Sequence, residues 1–328
     1  MAVTLKDVAE RAGVSRAAVS RAYTPGASVS ARTRAKVEAA AAALGYSPNI
    51  LARSLTTRRT QMVGLIANNF RNPVFLQIFD LFTRGLQEAG LRPLLVNLSD
   101  ETEPARSLTL LRQYSVDGVI VASSTLPEGF AGAFREAGIA VVHAFGRATE
   151  APVVPVVGID NIRAGAMAAE ALLARGYRHL GFLGGPEGAS TTRDRLAGFL
   201  GVAGRAGAET TVRFAGDYSH DAGRDGMARA LPGSKAEAWF CGDDVLAIGA
   251  LAALRAAGLS VPGDVGVIGL NDMDMAGWDE IGLTTIRQPF PAIVGGAIEL
   301  MAAGLADPSR LPEARIYPCE LVVRRTLR

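Results

Sequence analysis

Near the start of the chain, Arg16, Ala17, Ser20 and Arg21 are the residues best suited to recognition chemistry. Their spacing predicts one outward side of a short helix. An arginine there can donate two hydrogen bonds to guanine O6 and N7, and an alanine can touch a thymine methyl. Ser15 just ahead can cap that helix, with Val19 turned inward. An earlier helix is marked by Thr4 as its cap and by Leu5, Val8, Ala9 and Ala12 at three- and four-residue spacing. Ala9 is small where two helices must cross. Gly13 supplies a turn of the kind that often needs positive φ. Val19, six residues later, packs back on the first helix. This is helix-turn-helix spacing, in which the second helix enters the major groove. Ser30 can cap a third helix carrying Val37 and Ala41 to Leu44, with Gly45 as its stop and Pro48 beyond. On spacing alone, a three-helix bundle with a merely basic surface is the alternative.

Charge separates this head from the rest. The first 60 residues hold ten Lys and Arg against three Asp and Glu. The whole chain of 328 residues has 34 against 32, so the remainder is mildly acidic. A basic head on an acidic body suggests a polyanion-binding module joined to something else. The length implies two or three domains. The apolar fraction of 49% excludes a disordered chain. Cys241 and Cys319 are the only cysteines, which excludes a disulfide scaffold and points to a reducing compartment. No run of membrane-spanning length is free of charges and turn residues, and no apolar export segment opens the sequence, so a cytoplasmic protein is expected.

From residue 61 onward, short apolar runs alternate with longer helical patterns. Strands are expected over 62–67, 93–97, 119–122, 140–144, 153–159, 180–183, 212–215, 238–241 and 265–270. Helices are expected over 74–89, 103–114, 129–137, 163–175, 192–206, 221–230 and 244–257. Such alternation implies parallel sheets covered by helices, and two sheets fit this length better than one. Ligands bind such sheets beyond the carboxyl ends of the strands, here in a cleft between two lobes. Ser123, Ser124 and Thr125 follow a strand and could bond hydroxyls or a phosphate. His143 and Arg147 follow the next one.

The runs Thr4-Leu5-Lys6-Asp7-Val8-Ala9-Glu10-Arg11-Ala12-Gly13-Val14-Ser15, Val29 to Arg34 and Leu44 to Asn49 closely resemble the headpiece of the lactose-repressor (LacI) family. The next stretch, Ala52-Arg53-Ser54-Leu55, resembles that family's hinge helix. Body landmarks follow in order: Asn72-Pro73-Val74-Phe75, Asp160-Asn161, Gly184-Gly185-Pro186, Arg195 to Phe199, Asp243-Asp244 and Leu283 to Pro289. The resemblance spans nearly the whole chain. It implies an all-α head over 1–47, a hinge and linker over 48–60, and an α/β two-lobed body over 61–328 like periplasmic sugar-binding proteins. The first lobe would comprise about 61–160 and 288–318, the second about 161–287 and 319–328. DNA contacts carry over to Thr4, Ser15, Arg16, Ala17, Ser20, Arg21, Tyr46, Asn49, Ala52, Arg53 and Leu55. Leu55 would wedge into a minor-groove step, kinking the duplex. One departure stands after the recognition helix, where Ala22-Tyr23-Thr24-Pro25-Gly26 replaces a commoner Val-Leu-Asn turn. Tyr23 is expected to pack inward, and one phosphate or backbone contact is put in doubt.

The resemblance also assigns an effector cleft. Arg195 matches an arginine that grips the effector. Asn271 stands where an aspartate is common and Asp243 where an asparagine is usual, so amide and carboxylate look exchanged. Val74 and Phe75 match first-lobe lining positions, with Phe75 either stacking on a sugar ring or packing in the core. Tyr218 matches an effector-facing aromatic, and Asp160 belongs to the same set. Ser123, His143 and Arg147, placed by the strands they follow rather than by the resemblance, complete the candidate cleft. If His143 and Arg147 join Arg195, the cleft is cationic and favours a sugar acid or sugar phosphate over a neutral sugar; otherwise His143 is a buried, hydrogen-bonded histidine.

No catalytic or metal motif is visible: no P-loop, no nucleophile elbow, no clustered His or Cys. No cofactor is expected. The helix-turn-helix spacing and the resemblance imply sequence-specific transcriptional regulation. The chain would be a homodimeric repressor of carbohydrate genes on a pseudo-palindromic operator, switched by a sugar-like effector. A sugar-binding protein or sugar-processing enzyme with a DNA-binding head is the alternative.

Overall fold

The computed structural model describes residues 3–24, 26–47, 59–98, 104–123, 126 and 129–328. It divides into two compact units at Thr60 and Gln61, the head and the body.

Among its described residues the head has three helices, α1 (Leu5–Ala12), α2 (Arg16–Ala22) and α3 (Ala31–Leu44). Each starts on a hydroxyl cap. Thr4 and Asp7 form a reciprocal capping box, with Thr4 N–H donating to Asp7 Oδ2 at 2.7 Å. Ser15 accepts from Ala18 N–H and Ser30 from Thr33 N–H, each at 3.1 Å. Gly13 ends α1 at φ +65°, a conformation that glycine adopts without the Cβ penalty. Val8, Ala9, Val19, Ala22, Val37, Ala40 and Ala41 form the core of this unit. Tyr23 packs against it, its ring 6.3 Å from that of Tyr46.

The body holds two six-stranded sheets. In the first, β1 (Met62–Ala67), β2 (Arg92–Asn97), β3 (Gly118–Ala122), β4 (Ala140–Ala144) and β5 (Val156–Ile159) are joined by β11 (Ala314–Tyr317), in the order β11-β5-β4-β3-β1-β2. All its pairings are parallel. Around it lie α4 (Val74–Glu88), α5 (Pro104–Gln113), α6 (Phe130–Glu136) and α11 (Phe290–Ala306). The second sheet contains β6 (His179–Gly184), β7 (Glu209–Phe214), β8 (Ala238–Cys241), β9 (Gly266–Asn271), β10 (Thr284–Arg287) and β12 (Glu320–Val322). Its order is β12-β10-β9-β8-β6-β7, with only the β10–β12 pair antiparallel. Its helices are α7 (Asn161–Ala174), α8 (Ser190–Arg205), α9 (His220–Ala230) and α10 (Asp244–Ala256), with a short 3₁₀ turn at Asp274–Gly277. The chain crosses between sheets three times: after β5, after β10 and between β11 and β12.

These elements follow from the sequence pattern. The central strands are apolar on both faces, as helices on both sides of a parallel sheet require. The elements from 284 to 322 were not delineated by the sequence patterns. Strand order reverses at β1 in one sheet and at β6 in the other, so each lobe has a switch point at the carboxyl ends of its strands.

Two glycines set the position of α8. A Cβ at Gly165 would lie 1.9 Å from the Arg195 carbonyl oxygen, and one at Gly198 would lie 1.8 Å from that of Ile162. The backbones of α7 and α8 therefore cross in contact, and any side chain at either glycine would push them apart.

Candidate functional site

On α2, Arg16, Ala17, Ser20 and Arg21 are all exposed, while Val19 and Ala22 are buried. The four outward residues form one polar, basic face on a helix fixed by its apolar side. Thr4 and Ser15 are exposed and serve as helix caps; Tyr46 is half-buried. Asn49, Ala52, Arg53 and Leu55, together with Pro25, Pro48, Ser124 and Thr125, lie outside the described residues.

In the body, a cavity opens between the carboxyl ends of the two sheets. It encloses about 630 Å³ of non-protein space, part of it open to solvent. The first lobe contributes Asn68, Asn69, Asn72, Val74, Phe75, Ile78, Ser123, Phe145 and Ile159. The second contributes Asn161, Thr191, Arg195, Tyr218, Asp243 and Asn271, and the second crossover adds Gln288 and Phe290. Of the residues expected in the cleft, Val74, Phe75, Ser123, Arg195, Tyr218, Asp243 and Asn271 thus share one cavity.

A buried hydrogen-bond network links both walls. Asn72 Nδ2 and Asn271 Nδ2 each donate to Asp243 Oδ2 at 2.9 Å. The other oxygen, Asp243 Oδ1, accepts from Val245 N–H and so caps α10. Gln288 Nε2 donates to Asn271 Oδ1 at 2.6 Å. Asn271 is held at φ +129°, which non-glycine residues adopt only under constraint, while Asp272 at φ +57° lies in the left-handed region that aspartate tolerates. Burial pushes the Asp243 carboxyl up to about 6, against the pull of the Val245 N–H, the Arg195 charge and the two amides. Its neighbour Asp244 is raised to about 7, chiefly by burial and further by the Asp243 charge, despite a bond from the Thr285 hydroxyl.

Arg195 is buried and oriented from two sides. Its Nε donates to Asn161 Oδ1 at 2.8 Å and its Nη1 to the Gly242 carbonyl at 2.5 Å. Tyr218 bonds the Thr192 hydroxyl at 2.7 Å, and its ring lies over Gly185, where a Cβ would come within 2.3 Å of it. Ser123 Oγ donates to Asn68 Oδ1 at 2.7 Å.

Three expected cleft residues stand elsewhere. Asp160 is exposed and caps α7 through Arg163 N–H at 2.9 Å; the next residue, Asn161, lines the cavity instead. His143 is not part of the lining. Its Nε2 is 2.7 Å from the Ser123 carbonyl, which makes Nε2 the protonated nitrogen, and burial holds the imidazole below its usual range. Arg147 is turned to Asp194 on α8 rather than into the cavity. The expected cluster of His143, Arg147 and Arg195 does not form.

The sequence reading missed Asn68, Asn69, Asn72, Ile78, Phe145, Ile159, Asn161, Thr191, Gln288 and Phe290. One signal could have found three of them: Asn68 and Asn69 directly follow β1 and Asn72 lies in the same loop, at the switch point of the first sheet. Six carboxamides, Gln288 and five asparagines, line the cavity in all. A carboxamide carries two N–H donors and an acceptor oxygen, and the network above engages only part of that capacity. Three phenyl rings, Phe75, Phe145 and Phe290, supply apolar faces. The arrangement suits a compact ligand rich in hydroxyl or amide groups.

Residues 4–49 match the family described as bacterial regulatory proteins, lacI family, and residues 169–327 match a periplasmic binding protein-like domain. The HTH-type transcriptional repressor PurR of Escherichia coli O1:K1 is 33% identical over 99% of this chain and 96% of its own length. The structure of a transcriptional regulator CelR–cellobiose complex is 30% identical, with a TM-score of 0.74 over 99% of both chains. The Lac repressor dimer bound to operator and the anti-inducer ONPF is 26% identical, with a TM-score of 0.87 over 99% of both chains. Among the described residues, no helix is long and apolar enough to cross a membrane. The capped three-helix head, the two-sheet body and a match along nearly its whole length make this chain a member of the LacI family of bacterial regulatory proteins.

Proposed function

We propose that this chain is a homodimeric transcriptional repressor of carbohydrate-metabolism genes, controlled by a small uncharged sugar bound between the lobes. The head reads a pseudo-palindromic operator, each protomer placing the outward face of α2 in a major groove. Arg16 and Arg21 supply paired donors to bases or phosphates there. Ala52 and Leu55 of the hinge stretch act in the minor groove between the half-sites.

One observation carries the effector class. Among the described residues, the cavity is lined by one cation, Arg195, and one acid, Asp243, set among six carboxamides. The leaning toward a sugar acid or phosphate needed two further cations, and neither His143 nor Arg147 lines the cavity. Two of the Arg195 nitrogens are already engaged by Asn161 and Gly242. Amide donors and acceptors with flanking phenyl rings match the alternating hydroxyls and C–H faces of a neutral sugar. The cellobiose bound by the CelR relative is of that class.

A thermal-shift panel of neutral sugars, sugar acids and sugar phosphates tests this reading. Native-state binding raises the unfolding midpoint as RT ln(1 + [L]/Kd). Hits among neutral mono- or disaccharides support it. Hits confined to anionic sugars overturn it.

A further inference from the structure

The lobes meet at a second place, away from the cavity lining. Arg147 follows β4 and belongs to the first lobe. Asp194 lies in the opening turns of α8 and belongs to the second. Arg147 Nε donates to Asp194 Oδ2 at 2.9 Å, and Arg147 Nη2 pairs with Asp194 Oδ1, so the guanidinium grips both carboxylate oxygens. The Asp194 side chain is 10% exposed and that of Arg147 44%. A two-pronged pair fixes an angle as well as a distance, which a single hydrogen bond does not.

Its position gives it reach. Asp194 immediately precedes Arg195, and the α8 backbone at Arg195 is pressed against Gly165 of α7. A pull on Asp194 is therefore a pull on the helix that carries Arg195 into the cavity wall. On the other side, Arg147 hangs from the loop that begins at Phe145, which also lines the cavity. The pair ties one cavity wall to the other from outside.

We propose that Arg147 and Asp194 are positioning residues that hold the two lobes in the orientation in which both cavity walls face one ligand. This rests on the reading of the cavity as the effector site. The pair lowers the orientational freedom the lobes would otherwise lose on binding, and so prepares the cavity for its ligand. Removing Arg147 also strands a carboxylate that is nine-tenths buried, an arrangement that drives the lobes to reorient until water reaches Asp194.

The test needs no sugar. Nitroxide labels go on exposed sites of each lobe, Glu136→Cys and Glu187→Cys, in a Cys319→Ser background. Labelled chain is diluted with unlabelled chain, and pulsed electron–electron resonance reads the distance within one chain. The expected result is a narrow distribution for the parent protein. Arg147→Met and Asp194→Asn each widen it and shift its mean outward. Arg147→Lys, which keeps charge but loses the fork, falls between. The exchanged pair Arg147→Asp with Asp194→Arg narrows it again. Circular dichroism of each variant separates lobe movement from unfolding; if Asp194→Asn does not fold, the exposed partner's Arg147→Met still gives the answer. A distribution unchanged in folded Arg147→Met overturns the proposal and leaves the effector reading intact. A failure of every sugar in the thermal panel would strike that reading without altering the distances.

Discussion

Asn72 Nδ2 donates to Asp243 Oδ2 at 2.9 Å, joining residues 171 positions apart and on opposite lobes. The same carboxylate caps α10 and accepts from Asn271. One acid therefore fixes a helix start, a strand end and the approach of the other lobe. A ligand hydroxyl that reaches Asp243 meets a group whose position already depends on how the lobes stand.

Asn72→Ala removes one donor from this buried carboxylate. Hydrogen bonds to charged groups contribute about 1.5–3 kcal/mol, so the variant is expected to unfold earlier by about that free energy. Chemical denaturation with two-state fitting measures it. Asn72→Asp should be worse, since two carboxylates would then face each other in a buried site. Equal stability of Asn72→Ala and the parent would mean the bond contributes nothing across the lobes.

The raised carboxyls give a pH dependence with a definite sign. Asp243 at about 6 and Asp244 at about 7 both lie above the unfolded value. Between pH 4 and 7 the folded chain therefore holds more protons at these sites than the unfolded chain. The stability they contribute is present at low pH, begins to fall near pH 4 and is fully lost once pH has passed 6 to 7. His143, held below its usual range, acts in the opposite sense as pH falls below its unfolded value. Comparing the parent with Asp243→Asn isolates one group. The parent's stability relative to the variant should fall by about 1 kcal/mol between pH 5 and 8. A difference that stays constant across that range would show Asp243 titrating normally.

In the head, Arg16 and Arg21 are exposed beside a buried Val19. Replacing either by Ala should cost about 1–3 kcal/mol of operator binding if its fork reads a base, with relaxed preference at one operator position. Binding-site selection followed by fluorescence anisotropy at fixed salt measures both. A uniform loss on all sequences, with a shallower salt slope, would assign that arginine to phosphate instead.

Gly13 tests the turn. A Cβ there meets nothing within 4 Å, yet φ is +65°. Gly13→Ala should therefore destabilise the head by about 1 kcal/mol through backbone strain alone. Hydrogen exchange of α1 and α2 amides reads this locally; unchanged protection would mean the turn relaxes without loss.

Much of this molecule is legible in its sequence where local rules decide. The caps at Thr4, Ser15 and Ser30 and the stops at Gly13 and Gly45 are short-range chemistry, and each holds. The apolar runs of β1, β3 and β6 are unambiguous because both their faces are buried. What was not legible depends on side-chain direction or distant partners. Asp160 and Asn161 differ by one position, and that single step sends one to solvent as a cap and the other into the cavity. His143 near the end of β4 and Arg147 just beyond it stand where ligand residues would, but the Ser123 carbonyl and the Asp194 carboxylate claim them. The strands β11 and β12 are four and three residues long and hold no fully buried residue, too short for a hydrophobic pattern to stand out.

The most direct measurement is operator affinity with and without sugar, in the parent and in Arg195→Ala. A labelled operator from binding-site selection is titrated at constant salt, with the strongest neutral sugar from the thermal panel either absent or saturating. The expected result is a shift in operator Kd for the parent and no shift for Arg195→Ala, which should still bind operator without sugar. Because linkage is reciprocal, operator should change the parent's sugar affinity by the same factor. An operator Kd that saturating sugar leaves unchanged in the parent would contradict the coupling of this cavity to DNA.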